Sequence, residues 1–343
     1  MARAFGPGLG SAPRVRPIDR ELAEFDRPDV PGLVFACIEH GKASSVRSYG
    51  LANLETRARC QPRTNFRLAS VSKAFTAMAI LILAERGGLS LEDRLPRFFP
   101  GFPRDGKEIT IRHLLTHTSG LLDYEDLIAA GATAALKDRD VLEILQRQDK
   151  THFGVGARFR YNNGGYALLA LMVELVSGRT FAEFLRESIF LPLGMNSTVA
   201  YEAGIAEVTH RALGYSKRGK AFEQTDQSLT SAVLGDGGIY SSVHDLCKWD
   251  QALDTEKLIR RPLLQQAFTA HCSMSDAPGS GYGFGWYVER RGGEEHVWHH
   301  GSTCGFSASF HRYPARKRSV ILLANRSEAG LEAIVGKCFD AAP

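Results

Sequence analysis

Residues 71–86, a run from Val71-Ser72-Lys73 to Ala84-Glu85-Arg86, carry apolar side chains round almost the whole helical circumference. A helix with no polar face has to be enclosed by protein on every side. Gly87-Gly88 provides the stop, because glycine takes up the left-handed turn that ends a helix at no steric cost. The near-apolar part of the run, residues 74–84, is well short of the about 20 residues a membrane span needs. It predicts the central helix of a large soluble core. At 343 residues, 44% hydrophobic, the chain is long enough for one such core or for two smaller ones.

The flanks say what surrounds that helix. Residues 32–39 and 44–50, joined by His40-Gly41-Lys42, read as an antiparallel hairpin. Helical signals dominate from about residue 100 to 231. Thr110 caps a short helix through Leu115, residues 165–176 form a second apolar helix ended by Gly178, and Thr180-Phe181-Ala182-Glu183 has capping-box spacing. After the cap at Ser242, residues 282–290, 295–300, 306–313 and 319–325 read as successive strands, and residues 328–339 as a closing helix. The expected class is α/β (α+β): an antiparallel sheet assembled from both chain ends, flanked by helices, with an all-helical domain inserted. The boundaries implied are a flexible segment 1–17, a sheet domain formed by 18–100 with 232–343, and a helical domain 101–231.

A net charge of +4, with arginines scattered rather than striped, gives no reason to expect a nucleic-acid partner. Residues 1–17 lack the apolar centre of a secretory signal, and a cytoplasmic protein is expected. The six cysteines have no CxxC pair and read as reduced thiols.

Three short motifs carry chemistry. In Ser70-Val71-Ser72-Lys73 the serine stands at the start of the apolar helix, and residues three apart share a helix face, so the amine reaches the hydroxyl. A lysine on an all-apolar helix is desolvated, which lowers its pKa and frees it to act as a base. Tyr161-Asn162-Asn163 precedes the second apolar helix. A phenol near an ammonium ionises more easily, so Tyr161 is expected to shuttle protons, and Asn163 offers a donor and an acceptor. In Trp298-His299-His300-Gly301-Ser302, the glycine lets another backbone approach the strand, as a substrate lying alongside would require, and the Ser302 N–H can join that of Ser70 around an oxyanion.

SxxK, then YxN, then a basic-x-Gly triplet in a C-terminal strand resembles the serine β-lactamase and penicillin-binding-protein superfamily. The wording of residues 66–73, 113–121, 191–195 and 299–306 resembles the branch holding class C β-lactamases, family VIII carboxylesterases and D-aminopeptidases; the likeness covers about residues 20–335. The resemblance implies a β-lactamase/transpeptidase-like fold. It also implies Ser70 as acylated nucleophile, Lys73 and Tyr161 sharing base duty, and Asn163 holding Lys73 and the substrate. His299 falls where β-lactamases usually carry lysine, and His300 where they carry threonine. Neutral imidazoles are poorer partners for a drug carboxylate than those residues. The expectation is therefore a carboxylesterase, with β-lactamase or D-aminopeptidase/D,D-peptidase as alternatives and a non-catalytic ligand-binding relative as a second one. The substrate would be a small-molecule ester or amide.

No cofactor or metal is expected. His113 and His117 have i, i+4 spacing but no HExxH glutamate, and the glycines at 281, 283 and 285 lead into a strand rather than a nucleotide-binding helix. No serine stands in a G-x-S-x-G elbow, which excludes an α/β-hydrolase plan. Cys304 has no visible activator and is read as packing. Tyr124 and Phe306 are expected to flank the acyl pocket as rim residues.

Overall fold

The computed structural model describes residues 20–274, 277 and 279–340. The flexible segment expected for residues 1–17 lies outside them. An eight-stranded antiparallel sheet is built from β1 (Leu33–Glu39), β2 (Lys42–Tyr49), β3 (Cys272–Ser273), β4 (Ser280–Tyr282), β5 (Tyr287–Arg291), β6 (Glu294–Thr303), β7 (Phe306–Tyr313) and β8 (Arg318–Ala324), in the order β3-β4-β5-β6-β7-β8-β1-β2. The N-terminal hairpin joins the C-terminal strands where Leu33 pairs with Ala324 and Glu39 with Arg318.

The five helices that matter for the site are α1 (Lys73–Glu85), α2 (Ile111–Leu115), α3 (Asn163–Ser177), α4 (Val243–Ala252) and α5 (Leu331–Asp340). The sheet is covered on both faces, which explains why β1 is apolar without alternation. Its Val34, Ala36 and Ile38 enter the core shared with α1, while Leu33, Phe35 and Cys37 join Ile334 and Val335 of α5 in a second, smaller core.

Helix α1 is buried along almost its whole length, as its composition requires. It starts two residues later than the apolar pattern, after a 3₁₀ turn over Ala69–Ser72, and ends where Gly87 adopts φ 74°. Helix α3 begins at Asn163 rather than Gly165, because the Asn162 side chain caps it by accepting from the Gly165 N–H at 2.9 Å. Thr110, Thr180 and Ser242 cap the helices that follow them. Not all of the middle segment is helical: Val199–Ala200 pairs with Ile239–Ser241, and Tyr215–Arg218 with Ala221–Gln224.

The single strand expected over residues 282–290 is two strands, β4 and β5. The chain reverses between them at Gly285, φ 78°, where a β-carbon would stand 2.8 Å from the Lys73 carbonyl oxygen. The reversal is thus pressed against the first residue of α1, and only glycine fits there. Among the described residues, no helix is long and apolar enough to cross a membrane.

Candidate active site

Ser70 lies in the 3₁₀ turn before α1, directly after Ala69, whose φ of 46° is uncommon for a residue with a side chain. Strand β6 holds this strained turn from the side. A β-carbon on Gly301 would stand 2.2 Å from the Leu68 carbonyl oxygen and 3.0 Å from the Ser70 nitrogen. The close approach at Gly301, expected for a substrate lying alongside, is made instead by the nucleophile's own turn. β5 pairs with β6 only as far as Trp298, so among the described residues the β5-facing edge of β6 is open from His299 through the exposed Ser302.

Lys73 is completely buried, and its ammonium makes three hydrogen bonds. It donates to Ser70 Oγ at 3.1 Å, to Asn163 Oδ1 at 2.8 Å and to the Asp236 main-chain oxygen at 2.8 Å. Burial pulls its pKa from 10.5 to about 8, against the opposing charges of Asp236 and Glu125.

Asn163 is fixed at both ends, because its Nδ2 donates to Glu125 Oε1 at 2.6 Å. Burial pushes the Asp236 carboxyl up to about 6, although the Lys73 charge pulls the other way; the Tyr124 hydroxyl is 3.3 Å from its Oδ2. The turn carrying Asp236, Leu234–Gly237, is itself clamped. Buried Asp138 accepts from the N–H groups of Leu234 and Gly235 at 2.9 and 3.0 Å, and Arg67 donates to the Gly237 carbonyl at 3.2 Å.

The Tyr161 ring lies against the Lys73 ammonium, 5.0 Å from Nζ to the ring centroid. Its hydroxyl makes no hydrogen bond of acceptable geometry among the described residues. The nearby Ser70 hydroxyl favours the phenolate, but burial outweighs it and raises the pKa above the ordinary phenol value. The expectation of a more easily ionised phenol is thereby corrected: desolvation dominates, and Tyr161 is a proton-bearing group.

His117 packs against Tyr161 with ring centroids 4.3 Å apart and the rings tilted by 36°, and its Nδ1 accepts from the Asn162 N–H at 3.1 Å. His113 faces elsewhere, with its Nδ1 on Thr110, so the two histidines serve separate turns.

His299 is 1% exposed. Its Nδ1 is 2.6 Å from the His300 carbonyl, which can only accept, so Nε2 accepts from the Tyr282 hydroxyl 2.9 Å away. Burial and the Lys73 charge keep the ring neutral. Both nitrogens are occupied, so the imidazole has no donor left for a substrate; its expected place among the substrate-binding side chains is corrected to a backing role. His300 points to the other face of the sheet. Tyr124 and Phe306 are each fully buried, which removes both from any rim. Tyr124 supports Asp236 from below, and Phe306 packs on Tyr240.

Sequence reasoning missed Glu125, Asp236, Asp138 and Tyr282. The one local signal was the glycine density of residues 234–238, where a β-carbon on Gly235 would stand 2.2 Å from the Tyr166 carbonyl oxygen.

Comparison with known proteins gives a consistent result. The family model described as Beta-lactamase matches residues 18–336. Penicillin-binding protein 4* of Bacillus subtilis (strain 168) is 33% identical over 312 residues, 87% of this chain and 68% of that protein. The chain spans 61% of the length of Protein flp of Staphylococcus aureus (strain NCTC 8325 / PS 47), to which it is 26% identical over 310 residues, 88% of this chain. Among solved structures, a penicillin-binding protein from Bacillus halodurans superposes with a TM-score of 0.81 at 28% identity, covering 95% of this chain and 99% of that one. The D-amino acid amidase from Ochrobactrum anthropi SV3, complexed with L-phenylalanine amide, shares the fold with a TM-score of 0.83 at 22% identity, covering 94% and 97%.

Proposed function

The chain belongs to the Beta-lactamase family, and on that premise we propose that it is a serine hydrolase that forms an acyl-enzyme on Ser70, with carboxylic esters as its preferred substrates. The observation that carries this reading is the 3.1 Å contact between Ser70 Oγ and the amine of a fully buried Lys73. Once neutral, Lys73 takes the Ser70 proton as Oγ bonds to the ester carbonyl carbon. The negative oxygen that develops is received by the N–H groups of Ser70 and Ser302. Tyr161, kept protonated by burial, passes a proton to the departing alcohol. The Lys73 ammonium then returns the serine proton to Tyr161, and the amine, neutral again, takes a proton from the water that attacks the acyl-enzyme and passes it to Ser70 Oγ as the acid leaves.

The preference for esters follows from His299. A β-lactam needs its ring carboxylate held, and a neutral, buried imidazole with both nitrogens engaged offers that carboxylate nothing. A second reading, an amidase acting on substrates with a protonated amine, is favoured by one observation. The half-buried Glu125 carboxylate stands beside Asn163 at the site.

The test is a fluorophosphonate probe with peptide mapping, followed by parallel assay of p-nitrophenyl butyrate, a chromogenic cephalosporin and D-alanyl p-nitroanilide. The adduct is expected on the peptide that contains Ser70, and the ester is expected to turn over fastest. An unlabelled Ser70 peptide would end the serine-hydrolase reading, and a faster anilide would transfer the assignment to the amidase.

A further inference from the structure

The face of the sheet turned away from Ser70 carries a second hydrogen-bonded serine. Along β6, His299 and Gly301 face the Ser70 turn, so His296, Trp298 and His300 face the opposite side. Across the register, Trp298 pairs with His311 and His300 with Ser309 of β7. On that face Ser309 Oγ is 2.7 Å from His311 Nε2, and His311 Nδ1 is 3.0 Å from His296 Nε2. His296 Nδ1 is in turn 2.8 Å from Glu289 Oε1 on β5, whose second oxygen accepts from Ser280 Oγ at 3.0 Å.

The direction of this chain follows from its acidic end. An ionised carboxylate only accepts, so His296 donates from Nδ1 and keeps Nε2 as an acceptor for His311 Nδ1–H. His311 Nε2 is then left to accept the Ser309 hydroxyl proton. Burial holds both histidines below the ordinary imidazole pKa, so the neutral rings this order requires are the ones present. The rings are held nearly parallel: that of His296 is tilted by 16° from His311 and by 14° from Tyr313, with centroids 5.1 and 4.6 Å away. Ser309 is almost fully buried, yet it lines a cleft of about 290 Å³ together with His300, Ser302, Leu331 and Glu332.

We propose that Ser309 is a second nucleophilic serine, activated by His311 and His296 with Glu289 behind them, and that it takes small, uncharged, activated acyl esters through this cleft. Its order of groups is that of a serine-histidine-acid hydrolase with one extra imidazole. Ser309 Oγ bonds to the acyl carbon, its proton passes to His311 Nε2, and the alcohol leaves with that proton as the ester C–O bond breaks. The charge on the His311 ring is stabilised through His296 by Glu289. Water, activated by the same nitrogen, then frees the acid. The acidic Glu332 in the lining disfavours anionic donors.

The full chain carrying Ser70→Ala is the protein to test, because it separates this serine from the first. Incubated with a fluorophosphonate probe, its Ser309 is expected to form an O–P bond with loss of fluoride, read as added mass on the peptide that contains Ser309. Removal of the base in His311→Gln is expected to slow labelling by about 100-fold or more. Glu289→Gln, at the more exposed end of the relay, is expected to slow it while melting stays unchanged, so the comparison survives if His311→Gln does not fold. The Ser70→Ala/Ser309→Ala double variant is expected to take no label. Absence of an adduct on that peptide after exhaustive incubation of folded Ser70→Ala protein would overturn the proposal. So would equal labelling rates in Glu289→Gln and its parent.

Discussion

Gly301 lies so close to Leu68 that any β-carbon placed on it would stand 2.2 Å from the Leu68 carbonyl oxygen. The contact ties the strand that carries Ser302 to the strained turn that presents Ser70, so one backbone contact sets the spacing of both proposed oxyanion donors. Gly301→Ala must push strand and turn apart. Loss of one well-placed oxyanion donor costs about 10²–10³ in kcat, and a drop of at least about 10² is expected here with the fold retained. Steady-state kinetics on p-nitrophenyl butyrate, beside a thermal melt, check it; kcat near the parent value would mean that the two N–H groups do not act together.

Protonation of Lys73 gives the activity its pH dependence. Burial lowers the ammonium from 10.5 to about 8, and only the neutral amine accepts a proton, so kcat/KM is expected to rise with pH through a limb near 8. Asp236 favours the charged form of Lys73, so Asp236→Asn is expected to move that limb to lower pH. Two pH profiles decide it, and a limb that stays in place or moves up would show that the carboxylate does not act on Lys73.

How far the sequence could be read depended on whether the controlling contact was local. Helix α1 was visible because composition alone requires its burial, and the reach from Lys73 to Ser70 follows from helix geometry. Glu125 and Asp236 sit in turns with no periodicity, and only packing places them round Asn163 and Lys73. For His299, the resemblance places the residue at the site, but nothing local in the sequence indicates that Tyr282 covers its side chain. The charge beside Tyr161 follows from the motifs, whereas its complete burial, which raises its pKa, follows only from packing. The split between β4 and β5 arises from contact with the start of α1, far away in the chain.

Asp138 is expected to act at a distance, through the Leu234–Gly237 turn. Its carboxylate accepts two buried N–H groups there, and Asp138→Ala leaves both without a partner. Each buried group left unsatisfied costs about 1–3 kcal/mol, so a clear fall in melting temperature is expected. Because the same turn delivers the Asp236 carbonyl to Lys73, kcat should fall more than KM rises. Asp138→Asn keeps an acceptor oxygen and should recover part of both losses. Melting curves and kinetics for the pair test the coupling; equal kcat in the two variants despite different stabilities would uncouple the clamp from the chemistry.

Tyr282 tests whether His299 serves as backing rather than as a substrate ligand. Tyr282→Phe removes the hydroxyl that donates to His299 Nε2 and leaves a buried imidazole nitrogen without its donor. If His299 only supports the site, the expected result is a modest loss of stability, about 1–3 kcal/mol, with the ester-to-cephalosporin preference unchanged. His299→Lys makes the complementary point. It would place a second cation near Lys73, in a fully buried position already held by Tyr282, so it is expected to lower stability and to give no gain in cephalosporin turnover. A folded His299→Lys protein that hydrolysed the cephalosporin appreciably faster than its parent would show that this position does reach the substrate, and the ester preference would lose its main support.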